Sequence, residues 1–126
     1  MVEFDTIEDG FRTVVKDYQE VAFRYLWSLD GGGASSRDIW MNVNKDLMGE
    51  GSISRASIIN FMNYMVDEGA LDYTEITGKG GHRRIYSAKY DEAEFKEFVA
   101  NKIISKLYET WPEATLKVID IIKGDK

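Results

Sequence analysis

The alternation of apolar and polar positions along the chain predicts five helices and one β-hairpin. In five segments the apolar residues recur three and four positions apart, as they do on the buried face of an amphipathic helix. Four of these helices are predicted at residues 17–29, 54–68, 91–111 and 113–123. The remaining helix begins at Ser35 or Ser36 and follows the glycine run at 31–33, which ends the first helix.

The second helix has the signals of a capped amphipathic segment. Ser35 and Asp38 have the spacing of a capping box, and glycines at 49 and 51 end the helix. The glycine run ahead of it could cradle a phosphate, but it lacks the GxxxxGK[ST] pattern, so a helix stop with a small strand is the better interpretation. The side chains expected to be buried are Ile39, Trp40, Val43 and Leu47.

The segment 54–68 combines an apolar face with a small, mostly uncharged polar face. Gly69 suits the left-handed residue that commonly closes such a helix. Ile59 lies at the margin between the two faces. The predicted buried side chains are Ile58, Phe61, Met62, Met65 and Val66. The predicted outer side chains are Ala56, Ser57, Asn60, Asn63, Tyr64 and Asp67.

Two β-branched and aromatic segments, 71–77 and 82–88, flank the sequence GKGG and predict a hairpin. Two helices joined by a short glycine-containing turn, followed by a hairpin, are typical of a winged helix-turn-helix. We therefore expect a mainly α protein with a small β-hairpin, an α+β fold. Residues 1–90 would form a winged-helix DNA-binding domain, and residues 91–126 a helical dimerisation region.

Composition narrows the range of functions. The chain has 126 residues, no cysteine and one histidine, so we expect no metal site, no cofactor, no catalytic residues and no enzyme activity. His82 lies among arginines, without a serine or aspartate in a triad-like pattern. No apolar run approaches the ~20 residues of a membrane span. The acidic N-terminus is unlike a signal peptide, so we expect a cytoplasmic protein that does not bind membranes.

The net charge of −6 argues against nucleic-acid binding until the charge is located along the chain. Residues 52–90 carry five Lys or Arg and four Asp or Glu, a net charge of +1. Residues 77–90, the predicted wing, contain no acid at all. Local charge governs contact with phosphates more than the total does. The alternative for the wing cations is that they are solvated surface charges without a ligand. The alternative for the whole domain is a winged helix that binds only proteins.

Double-stranded DNA is therefore the predicted partner, with helix 54–68 in the major groove and the wing on the phosphate backbone. Residues near the start of a recognition helix usually reach base edges, and those that follow reach the backbone. The predicted base-reading residues are Arg55, Ala56, Ser57 and Asn60, and the predicted backbone contacts are Asn63, Tyr64, Lys79, Arg83 and Arg84.

The two C-terminal helices carry more apolar surface than a small domain needs, so a partner subunit is expected to cover it. The alternative is that these helices fold back over the first helix. The predicted dimerisation residues of a homodimer are Phe95, Phe98, Val99, Ile103, Leu107, Trp111 and Ile119.

With these segments in view, the chain from Tyr18 onward resembles the penicillinase-repressor (BlaI/MecI-type) family of winged-helix regulators and looks like an archaeal relative. The resemblance rests on VAFRYLWSL, SRDIWMNV, SRASIINFMNYMVDEGAL and RRIYSAKYDEAEF. It implies a homodimer that binds a palindromic operator and represses transcription.

The chain also departs from the pattern of this family. Ala56 and Ser57 stand where threonines are common and Ile59 where a lysine is frequent, whereas Asn63 matches. The C-terminal cysteine motif of the copper-sensing relatives is absent. Because of these departures, the resemblance does not predict the operator sequence. No residue identifies an inducer or an inactivating partner.

Overall fold

The computed structural model describes residues 4–47, 52–78 and 81–124. Its elements, in chain order, are a short 3-10 helix (Gly10–Thr13), α1 (Asp17–Ser28), β1 (Gly33–Ser35), α2 (Ser36–Asp46), α3 (Arg55–Asp67), β2 (Leu71–Gly78), β3 (Gly81–Ala88), α4 (Glu92–Thr110) and α5 (Pro112–Gly124). The protein is mostly helical with a small antiparallel sheet of three strands, so the predicted α+β class is confirmed.

The chain divides into two compact units, Met1–Asp91 and Glu92–Lys126. In the first unit α1, α2 and α3 enclose an apolar core. The ring of Phe61 meets the rings of Phe23 and Tyr18 edge-on, with centroids 5.8 and 6.0 Å apart. Side chains from all three helices and from the sheet are fully or almost fully buried in this core: Ala22, Phe23, Leu26, Ile39, Val43, Ile58, Met62, Met65, Leu71 and Tyr86.

The cap at the start of α2 and the cap at the end of α3 are those that the sequence predicts. Ser35 Oγ accepts from the amide of Asp38 (3.2 Å) at the start of α2. Gly69 has a φ of +88°. Its amide donates to the carbonyl of Val66, and the next amide, that of Ala70, donates to the carbonyl of Met65. This pair of bonds is a Schellman motif, which satisfies the last carbonyls of α3.

The sheet has the strand order β1-β3-β2, with both pairs antiparallel. The small strand predicted after the glycine run is β1, and it adds a third strand to the hairpin formed by β2 and β3. Gly33 approaches β3 so closely that a Cβ there would lie 2.6 Å from Ile85 Cγ2 and 3.0 Å from the carbonyl oxygen of Tyr86. This position therefore requires glycine.

Three predicted core residues are only half-buried: Trp40, Leu47 and Val66. Trp40 turns its indole N–H to the carbonyl of Ile53 (2.8 Å), which places the ring at the edge of the core. The predicted helix stop at Gly49 and Gly51 lies outside the described residues. The N-terminal segment contributes to the core, because Phe11 and Val15 are buried, and the amide of Asp5 donates to the carbonyl of Thr13 (2.7 Å).

The second unit consists of α4 and α5. Pro112 is the first residue of α5, where its lack of an N–H costs nothing. No helix within the described parts of the chain is both long and apolar enough to cross a lipid bilayer.

Candidate nucleic-acid interface

The entry into α3 is held by side chains of α2. The side chain of Asn44 accepts from the amide of Ile53 (2.8 Å) and donates to its carbonyl (3.1 Å), and the Trp40 indole donates to the same carbonyl. Ser54 then caps α3, accepting from the amide of Ser57 at 3.1 Å. The connection between α2 and α3 is thereby anchored at Ile53, the residue before the cap. This anchoring fixes the direction in which the first turn of α3 points.

At the start of α3, Arg55, Ala56 and Asn60 are exposed, as predicted for residues that reach base edges. Ser57 differs from them. It is half-buried, and its hydroxyl lies 2.9 Å from that of Ser54 within the cap. Ser57 therefore contributes to the helix cap in this structure. Of the four predicted base-reading residues, the other three are exposed to a ligand.

The far end of α3 is acidic. Asp67 and Glu68 lie there, and the Tyr64 hydroxyl donates to Glu68 (3.0 Å). This hydrogen bond raises the pKa of Tyr64 above its ordinary value. A phosphate next to Tyr64 would meet the Glu68 carboxylate and be repelled by it. The charge of α3 is thus polarised, with Arg55 at its first turn and two acids at its last.

Asn63 faces the sheet instead of solvent. The sequence placed it on the outer side of α3, but it is half-buried, and its side-chain carbonyl accepts two hydrogen bonds from β3. Arg84 Nη1 donates at 3.0 Å and the Tyr86 hydroxyl at 2.5 Å. Burial raises the pKa of Tyr86, and the Arg84 charge partly opposes this. The Asn63 amide therefore links the helix to the hairpin.

The two arginines of β3 have different surroundings. Successive residues of a strand point to opposite faces of the sheet. Arg84 shares the face of Tyr86, is half-buried, and places its guanidinium carbon 4.0 Å from the centroid of the Tyr73 ring. Arg83 shares the other face with Ile85 and is exposed. Lys79, the third predicted cation of the wing, lies outside the described residues.

These elements bring four of the predicted residues together, three arginines and Asn63. Arg55 from α3 and Arg83 and Arg84 from β3 line one hollow between the helix and the hairpin. Its lining also contains one carboxylate, that of Glu75, among the described residues. Cations of separate elements that line one hollow favour a positive local potential there, although the total charge of the protein is −6. The arrangement can hold an anion such as a phosphate.

Two residues that contribute to this surface were not predicted from the sequence. Asn44 positions the entry of α3 through contacts with a residue nine positions away, and no helical pattern marks it. Arg37 follows the cap of α2 and lines a second hollow with the same arginines. The sequence offers one weak signal for Arg37, namely a basic residue shortly after the serine cap of α2. Among the described residues no group of three or more His, Cys, Asp or Glu could hold a metal ion.

The predicted dimerisation residues fall into three classes of exposure in the single chain. Phe95 and Val99 are buried, Phe98, Ile103 and Ile119 are half-buried, and Leu107 and Trp111 are exposed. Further exposed apolar side chains accompany the last two: Ile104, Tyr108, Leu116, Val118, Ile121 and Ile122. The apolar surface available to a partner therefore lies in the second half of α4 and in α5.

No protein-family model matches the sequence, and no curated protein matches it either. Among solved structures, a chain of HOP2 aligns with 57% of this chain and 98% of its own length, at 21% identity and a TM-score of 0.40. That structure comes from work on the DNA recognition and protein interaction domains of HOP2 and its homologous DNA pairing. A likeness at this level says nothing of what the present chain binds.

Proposed function

We propose that the protein is a winged-helix regulator that binds double-stranded DNA, represses transcription and acts as a homodimer on a palindromic operator. The observation that carries the proposal is the convergence of Arg55, Arg83 and Arg84 beside the exposed first turn of α3. The order helix, strand, helix, helix, hairpin in the first unit supports the proposal, because a winged helix has the same order of elements. The charge distribution of α3, with Arg55 in its first turn and two acids at its far end, favours an approach to DNA by the start of the helix.

In this proposal the first turn of α3 enters the major groove. Ala56 packs on a thymine methyl group, and Asn60 bonds an adenine edge. The acids at the end of α3 remain away from the phosphates, because the N-terminal residues of a recognition helix are those that usually meet base edges. Arg83, which is exposed, contacts the phosphate backbone. The difference in charge between the two ends of α3 determines which end of the helix approaches the DNA.

The homodimer is supported by the exposed apolar surface of α4 and α5. Trp111 is 61% exposed and Ile122 is 59% exposed, although a monomeric soluble protein rarely leaves large contiguous apolar patches in water. A second copy of the chain that covers these residues would present two α3 helices to one duplex, and two-fold symmetry matches a palindromic site.

The test is a binding selection on genomic fragments with the purified full chain, followed by anisotropy titrations on the selected duplex. We expect a palindromic site and an affinity that falls steeply with salt, by about 0.9 in log K per phosphate contact for each unit of log salt. Sedimentation of the same sample should show a dimer, and Trp111→Ser should shift it toward monomer.

Negative results have separate meanings. If micromolar protein retards no duplex at low salt, the DNA-binding proposal is wrong and a winged helix that contacts only proteins replaces it. If the chain binds DNA as a monomer that Trp111→Ser leaves unchanged, only the homodimer is wrong. Repression is tested by a reporter that carries the selected site, since an activator would raise its output.

A further inference from the structure

Arg37, which is not among the predicted interface residues, lies in a second basic hollow. This hollow adjoins the one between α3 and the hairpin, and it brings together arginines from three elements: Arg37 of α2, Arg55 of α3, and Arg83 and Arg84 of β3. The other described residues that line it are Ser35, Ser36, Asp38, Met41 and Ile85. Arg55 lines both hollows and therefore lies where they join.

The charge of this hollow is largely uncompensated. Within the described residues no ion pair joins Arg37, Arg55 or Arg83 to a carboxylate. Asp38 is the one acid among the described residues of the lining. All three of these arginines are exposed, so their guanidinium groups are accessible to a ligand. Like charges held near one another repel, and an anion bound among them removes that repulsion.

We infer that Arg37, together with Arg55 and Arg83, binds a phosphate of the nucleic-acid backbone. The inference rests on the proposed function and extends it from α3 and the hairpin to α2. The guanidinium group presents donors in a fixed fork that matches the oxygens of a phosphate. In a helix-turn-helix the first helix crosses the backbone while the second enters the groove, and Arg37 lies in the first turn of the first of these helices.

The test compares Arg37→Ala with Lys45→Ala. Lys45 is an exposed cation in the last turn of the same helix, so its loss changes the total charge equally but leaves the hollow intact. Anisotropy titrations of the full chain use the selected duplex and a mixed-sequence duplex from about 50 to about 200 mM salt. Thermal melts show whether either variant alters folding.

For Arg37→Ala we expect the slope of log K against log salt to fall by about 0.9, the value of one phosphate contact. That slope corresponds to an affinity about eightfold lower at 0.1 M salt, equally on both duplexes. Arg37→Lys should keep most of the slope, because it keeps the charge. Lys45→Ala should bind like the unchanged chain.

Three results would overturn the inference. Equal effects of Arg37→Ala and Lys45→Ala would show that total charge alone matters. A loss confined to the selected duplex would make Arg37 a base-reading residue. In both cases the unchanged chain still binds DNA, so the proposed function stands. If the unchanged chain binds neither duplex, the proposed function and this inference are both wrong.

Discussion

The hydrogen bonds of Asn63 allow a quantitative test of how α3 is joined to the hairpin. Its side-chain oxygen is the acceptor for Arg84 Nη1 at 3.0 Å and for the Tyr86 hydroxyl at 2.5 Å. Asn63→Ala removes this acceptor. Tyr86 is only 3% exposed, so we expect water to replace the lost acceptor poorly. Leaving a buried donor unsatisfied costs about 1–3 kcal/mol, whereas the half-buried Arg84 can recover water at small cost.

Asn60 provides the matched control. It lies one turn earlier on the same helix, is exposed, and has the same side chain. Replacing either asparagine by alanine gains the same helix propensity, about 0.6 kcal/mol. The difference between the two variants therefore isolates the contacts of Asn63. We expect Asn63→Ala to be less stable than Asn60→Ala by about 1–3 kcal/mol.

The assay is urea unfolding of the full chain, followed by tryptophan fluorescence and circular dichroism. A double-mutant cycle with Tyr86→Phe assigns the coupling, and the double variant should lose less stability than the two single variants together. If Asn63→Ala and Asn60→Ala unfold within about 0.5 kcal/mol of each other, Asn63 does not hold the hairpin. In DNA binding Asn60→Ala should be the variant with the larger effect, because it should blur sequence preference without lowering the free energy of unfolding.

Two further outcomes follow from the geometry. Gly33→Ala should lower the free energy of unfolding by about 1–3 kcal/mol in the same urea assay, because its Cβ would meet Ile85 Cγ2. Gly78→Ala is the control and should not lower it, because a Cβ at Gly78 meets nothing within 4 Å. The Glu68 hydrogen bond raises the pKa of Tyr64, so Glu68→Gln should lower that pKa in an NMR titration, and an unchanged pKa would contradict the bond.

The linkage through Asn63 gives the two arginines of β3 different roles. Arg84 is held between Asn63 and the Tyr73 ring, so its removal also loosens the hairpin. Arg83 makes no such contacts among the described residues and is exposed. We therefore expect replacement of Arg83 to change DNA affinity alone, whereas replacement of Arg84 changes both affinity and stability.

Local signals in the sequence were sufficient for the five α-helices and the hairpin, but they did not predict the 3-10 helix Gly10–Thr13. Helical spacing of apolar residues located α1 to α5, and serine and glycine at the helix ends marked the caps. The glycine-rich sequence GKGG between two segments of β-branched and aromatic residues predicted the hairpin. These features depend on residues within about one or two turns of each other, so they can be inferred without knowledge of the fold.

The orientation of individual polar side chains was decided by the tertiary structure. On a helical projection Asn63 belongs to the outer face, but the hairpin packs on that side and bonds its amide to Tyr86, 23 positions away. Arg37 and Arg83 likewise line one hollow only because the fold brings α2 and β3 together. A helical projection describes one helix in isolation. Which of its polar residues face solvent depends on elements that are distant in the sequence, and only their packing determines it.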